Sequence, residues 1–145
     1  MADGPDLNRI VFYADAEGKM HDRPVRRFFG LVDGIVGGEG NGPLDPTPKA
    51  AGVIIAGPNP VAIDLAAARL MGFDHRNLPV LRVALESHPL PLAAFEHADV
   101  VVRSDDTRYD GRLVDLRGRL LAFEPHFGWN GHIEITESVE ARSLA

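Results

Sequence analysis

Residues 37–49, GGEGNGPLDPTPK, hold four glycines and three prolines in thirteen positions. Proline fixes φ and removes a backbone donor, and glycine loses more conformational freedom on ordering than any other residue. Such a stretch predicts a loop. Regular structure is therefore expected on either side of it.

Upstream, residues 7–14 contain IVFYA, a β-branched and aromatic run that predicts a strand. Asp15 to Gly18 supply turn residues. Pro24 opens an expected helix through residue 36, because Phe28, Leu31, Val32 and Ile35 recur at three- and four-residue spacing. Downstream, VIIA at 53–56 lies between Gly52 and Gly57 and reads as a strand covered on both faces. Asn59 is the expected cap, and Pro60 the first residue, of a helix that runs to Met71 and is stopped by Gly72. Helices are expected from Pro79 to about residue 87 and over 91–97. Strands are expected over 98–103, 111–116, 119–123 and 132–136, with a polar turn at 105–110 and a tight turn at Arg117-Gly118. The order predicts an α/β fold, a single small domain with a mixed sheet and a C-terminal hairpin region. Its limits are 7–137, between a flexible leader at 1–6 and a frayed tail at 138–145.

Composition narrows the function classes. The chain has 145 residues, which fits one domain, and 45% of them are hydrophobic, enough for a core. It has no cysteine, which excludes disulfides, thiolate metal sites, cysteine-ligated iron–sulfur clusters and cysteine nucleophiles within this chain. Its formal net charge of −6 disfavours nucleic acid and anionic membranes as partners. No apolar run approaches the ~20 residues of a spanning helix, and the N-terminus MADGPDLNR lacks the pattern of a signal peptide. The expectation is a soluble, cytoplasmic protein.

Candidate chemistry concentrates at residues 33–45. Asp33, Glu39, Asn41 and Asp45 stand among Gly34, Gly37, Gly38, Gly40 and Gly42. Oxygen donors on a glycine-lined loop suit a divalent cation such as Mg²⁺, while the plain alternative is that the glycines serve local geometry. Asp33 and Glu39 are the expected cation ligands, with Asp64 a third ligand or a general base. Gly38, Gly40, Asn41 and Gly42 would line a small anionic ligand, with Arg27 or His132 neutralising it. His132 is also a candidate catalytic residue. The tail adds Glu124, His126, Trp129, Asn130 and Glu134, at spacings that match no standard histidine metal motif.

LNRI at 7–10, VDGIVGGEGNGPL at 32–44, NPVAID at 59–64, LMGF at 70–73 and FGWNGHIE at 127–134 together resemble domain-of-unknown-function family 362. The resemblance is to the C-terminal part of such proteins. It implies no agreed activity, and it favours Asp33, Glu39, Asn41 and Asp64 as site residues. Larger members carry a preceding region, and some carry ferredoxin-like cysteine motifs; with no cysteine, this chain does not inherit that association. Two functions are therefore expected as alternatives. One is a domain binding a divalent cation and a small anion at the acidic glycine-rich loop, with metal-assisted hydrolysis or group transfer as the reaction class if it is catalytic. The other is a non-catalytic binding or assembly domain, a fragment or split partner of a larger protein, whose protein partner supplies the upstream region.

Overall fold

The structure, a computed structural model, describes residues 4–116 and 121–136. Its elements are α1 (Gly4–Tyr13), β1 (Gly30–Asn41), β2 (Asp45–Gly57), α2 (Pro60–Met71), α3 (Pro79–Leu85), β3 (Val101–Val102) and β4 (Gly111–Arg112). Short 3-10 turns occur at His75–Asn77, His97–Asp99, Thr107–Tyr109 and Leu113–Asp115. The fold is α/β, as expected. Its strands form two antiparallel pairs, β1 with β2 and β3 with β4, in place of one mixed sheet.

Helix α2 organises the core, and its start follows from three residues. Asn59 Oδ1 accepts the Val61 and Ala62 N–H groups at 2.9 and 3.1 Å, and Pro60 needs no donor in the first turn. Gly72, in the left-handed conformation, ends the helix, and its N–H returns to the Ala68 and Arg69 carbonyls. Between these caps, Val61, Leu65, Ala66 and Ala68 are buried against Leu81 and Ala84 of α3, and against Leu92, Val100, Leu113, Leu116, Phe123 and Ile133. Arg69 closes one side by donating two bonds to the Leu116 carbonyl, at 3.2 and 2.7 Å.

Several expectations fail, and three of the failures have a clear physical reason. Residues 7–14 are helical up to Tyr13, and the helix begins at Gly4, inside the expected leader. Its buried positions, Pro5, Arg9 and Tyr13, repeat every four residues, so its inner face is partly polar. Arg9 donates to Asp6 and to the Leu90 carbonyl, and the Tyr13 hydroxyl donates to the Pro91 carbonyl at 2.7 Å. These tertiary bonds outweigh the β preference of IVFYA. Residues 30–36 form β1 rather than a helix. Gly30 and Gly34 within that stretch each cost a helix about 1 kcal/mol, whereas Val32, Ile35 and Val36 favour extended backbone.

The expected loop at 37–49 is the third. Apart from its turn, it is the outer half of a long hairpin, with Gly37 opposite Lys49, Gly38 opposite Pro48, Glu39 opposite Thr47 and Gly40 opposite Pro46. Pro46 and Pro48 share one register phase, so both missing donors fall on the outer edge of the strand, where no ladder bond is lost. The expected helix over 91–97 does not form, and β3 and β4 are only two residues each. The strand expected over 132–136 is a single bridge between Phe73 and Glu134. The turn expected at Arg117-Gly118 and the tail at 138–145 lie outside the described residues.

The hairpin changes its covered face part-way along. Near its base, Ile63 of α2 packs over Gly30 and Gly57, and Ile55 joins the core. The register slips between Gly34 and Val36, where β2 carries the additional residue and Gly52 has φ +69°. Such a bulge increases twist. Beyond it the opposite face is covered, with Gly37 against the Phe123 ring and Ala51 packed on the core. The uncovered face near the base carries Leu31 opposite Ala56 and Asp33 opposite Ile54.

Candidate functional site

Glu39 and Lys49, on opposite strands, form a clamp. Glu39 Oε2 accepts Lys49 Nζ at 2.7 Å and the Glu124 N–H at 2.9 Å. Lys49 Nζ also donates to the Ala122 carbonyl at 2.9 Å and lies 5.2 Å from the centre of the Phe123 ring. The Gly40 N–H completes the attachment by donating to the Glu124 carbonyl at 2.9 Å. The Lys49 hydrogen bond, and then that from Glu124, hold the Glu39 carboxyl below its ordinary pKa. This carboxylate joins the hairpin to the 122–124 segment.

The other expected ligands stand elsewhere. Asp33 is exposed on the uncovered face, and its Oδ1 accepts the Ile35 N–H at 3.1 Å. Asp64 lies on the outer side of α2 and bonds to no described residue; partial desolvation raises its carboxyl pKa. Asn41 pairs in register with Asp45 at the hairpin end, and the Gly42 N–H donates to the Gly40 carbonyl at 2.9 Å. Gly38 lies against Pro46. Among the described residues, no group of three or more histidine, aspartate or glutamate side chains is placed to hold a metal ion. The structure therefore does not gather Asp33, Glu39 and Asp64 into a cation site.

The tail residues build a docked loop. Glu134 accepts the Gly131 and Ile133 N–H groups, at 2.9 and 3.1 Å, and these bonds lower its pKa. The loop joins the end of α2 through Asp74 N–H to the Ile133 carbonyl and Ile135 N–H to the Gly72 carbonyl. His126 accepts the Gly128 N–H and stacks on Phe127, while His132 is exposed on the loop.

A concave site forms where sequence reasoning did not place one, at the base of the hairpin. Its cavity, about 270 Å³, is lined by Phe12, Phe28, Pro58, Pro91, Arg26 and Arg27 among others. Its walls are tied together. The Val25 N–H donates to the Phe12 carbonyl, Arg26 donates to the Val11 and Asp15 carbonyls, and Asn59 Nδ2 donates to the Leu92 carbonyl. Phe12 and Phe28 meet in a tilted pair with ring centres 5.7 Å apart. Arg27 was legible as a candidate cation. The aromatic walls were not, because they converge only when 4–13 is a helix.

The family described as Domain of unknown function (DUF362) matches residues 6–69. Residues 6–69 are similar to that family. The match falls in the N-terminal part of this chain and not in its C-terminal part. It covers most of α1, the whole hairpin, and α2 as far as Arg69, and it takes in all the residues that line the basal cavity except Pro91 and Leu92. The stretches at 70–73 and 127–134 lie outside it. No curated protein and no solved structure matches the chain. Among the described residues, no helix is long and apolar enough to cross a membrane.

Proposed function

We propose that this chain is a non-catalytic assembly domain that docks the uncovered face of its hairpin onto a protein partner. The observation that carries the reading is the state of four side chains around that face: Phe29, Leu31, Ile35 and Ile54 are 72%, 67%, 54% and 60% exposed. Fully burying each such group is worth about 1.5–3 kcal/mol. Soluble monomers rarely leave apolar groups contiguous on this scale, and two-stranded ribbons gain stability from a third strand or a packed helix.

Asp33 sets the partner's chemistry. It is the one charged side chain of β1 on the uncovered face near the base, between Leu31 and Ile35. The fitting partner is an extended apolar strand that lies across this face, with its apolar side chains on Leu31 and Ile54 and a lysine or arginine facing Asp33. The test is a titration of the ¹⁵N-labelled chain with a nine-residue peptide of alternating valine and threonine carrying a central lysine. Amide shifts confined to 29–36 and 53–56, weakened by a central glutamate and by Ile54→Lys, support the reading. No shift, shifts spread through α3 and residue 133, or equal binding of the glutamate peptide would overturn it.

A further inference from the structure

We infer that the cavity at the base of the hairpin is a binding site for a small carboxylate with an aromatic or aliphatic body. The inference is independent of the docking face. Three observations carry it.

The first is the balance of charge. Arg26 and Arg27 both line the cavity, and the described lining contains no aspartate or glutamate. Arg26 is committed to the Val11 and Asp15 carbonyls. Arg27 makes no hydrogen bond or ion pair with any described residue. Its planar fork is therefore free to take a carboxylate in two parallel bonds.

The second is the wall. Phe12, Phe28, Pro24, Pro58 and Pro91 make the rest of the lining mainly apolar, which suits a ring or short chain better than a sugar or a bare anion. The other polar side chains are already used: the Tyr13 hydroxyl on Pro91, and Asn59 on Val61, Ala62 and Leu92. The third is size. A volume of about 270 Å³ lies just below the usual range for drug-sized ligands. A cavity of roughly 150 Å³ already admits benzene, so a single-ring carboxylate fits. The walls are hydrogen-bonded to one another, so little ordering is required on binding.

The test is a titration of the ¹⁵N-labelled chain with benzoate, with benzamide and acetate as the neutral and body-less probes. Benzoate should shift the Asn59 side-chain amide and the backbone amides of 26–28 and 92, while the Trp129 indole stays in place. Arg27→Gln should weaken benzoate at least about tenfold, the scale of a lost charge-assisted pair. It should leave the melt unchanged, because Arg27 holds nothing else. Arg27→Lys should recover part of the affinity, and Arg23→Gln should lose none. Saturable benzoate binding with that pattern supports the site. Absence of shifts at 10 mM benzoate, on the order of the weakest useful affinity, would overturn it. So would equal binding of benzamide or acetate, or an Arg27→Gln variant that binds as the parent does.

Discussion

At Gly37 an added Cβ would stand 2.7 Å from the Phe123 ring, on the face where the Lys49 ammonium lies over that ring. The ring is buried in the core and has little room to give. Gly37→Ala is therefore expected to cost about 1–3 kcal/mol, read as a lower urea midpoint at unchanged slope. A neutral result would show that the hairpin and the 122–124 segment are not clamped together. Legibility at this scale depended on how local the partner is. Asn59 announced itself as a cap because its partners are two and three residues away. Glu39 looked like a metal ligand because Lys49 and Glu124 are ten and eighty-five positions distant. A carboxylate beside glycines has the same appearance in sequence whether it meets a cation or a lysine.

Among the elements, α2 was readable from end to end, since cap, first-turn proline, apolar body and terminal glycine agree on one structure. The hairpin was not. Its apolar residues follow helical spacing by coincidence, and its prolines look prohibitive until both fall on an outer edge. The resulting ribbon carries the docking face, so reading it as a helix and a loop concealed that face.

The short turns bring another consequence. His75 and His97, on separate 3-10 turns, lie with ring centres 4.5 Å apart, and Asp74 and Arg76 flank His75. Desolvation, and then the nearby His97, hold the His75 pKa below its ordinary 6.5, although Asp74 opposes this. The unfolded chain then takes up a proton that the folded ring refuses. Stability is complete above about pH 6.5 and declines as the pH falls toward the folded value. Melts from pH 8 to pH 5 should show that decline, and His75→Phe should remove part of it. A variant with the parent's full pH dependence would assign the decline to other groups.

For the whole molecule, the core around α2 is well enclosed, while apolar side chains gather on two outer surfaces. One is the hairpin face. The other is the outer side of α1, where Leu7, Ile10 and Val11 are exposed at helical spacing. Small domains gain stability by burying apolar surface, and this one leaves such surface open on two elements of the segment that resembles DUF362. That distribution, more than any acidic cluster, supports assembly as the function. Composition could not reveal it, because a 45% apolar content is the same whether those side chains point inward or outward.

The measurement that tests this most directly is the thermal melt of the double variant Leu31→Thr/Ile54→Thr. Threonine keeps the β-branched preference for extended backbone and removes the apolar surface. If the face is open in the isolated chain, the midpoint should stay within about 3 °C of the parent, since surface changes cost less than about 0.5 kcal/mol each. A fall of about 8 °C or more, on the scale produced by buried large-to-small exchanges, would mean that these side chains are already core, and would contradict the docking face.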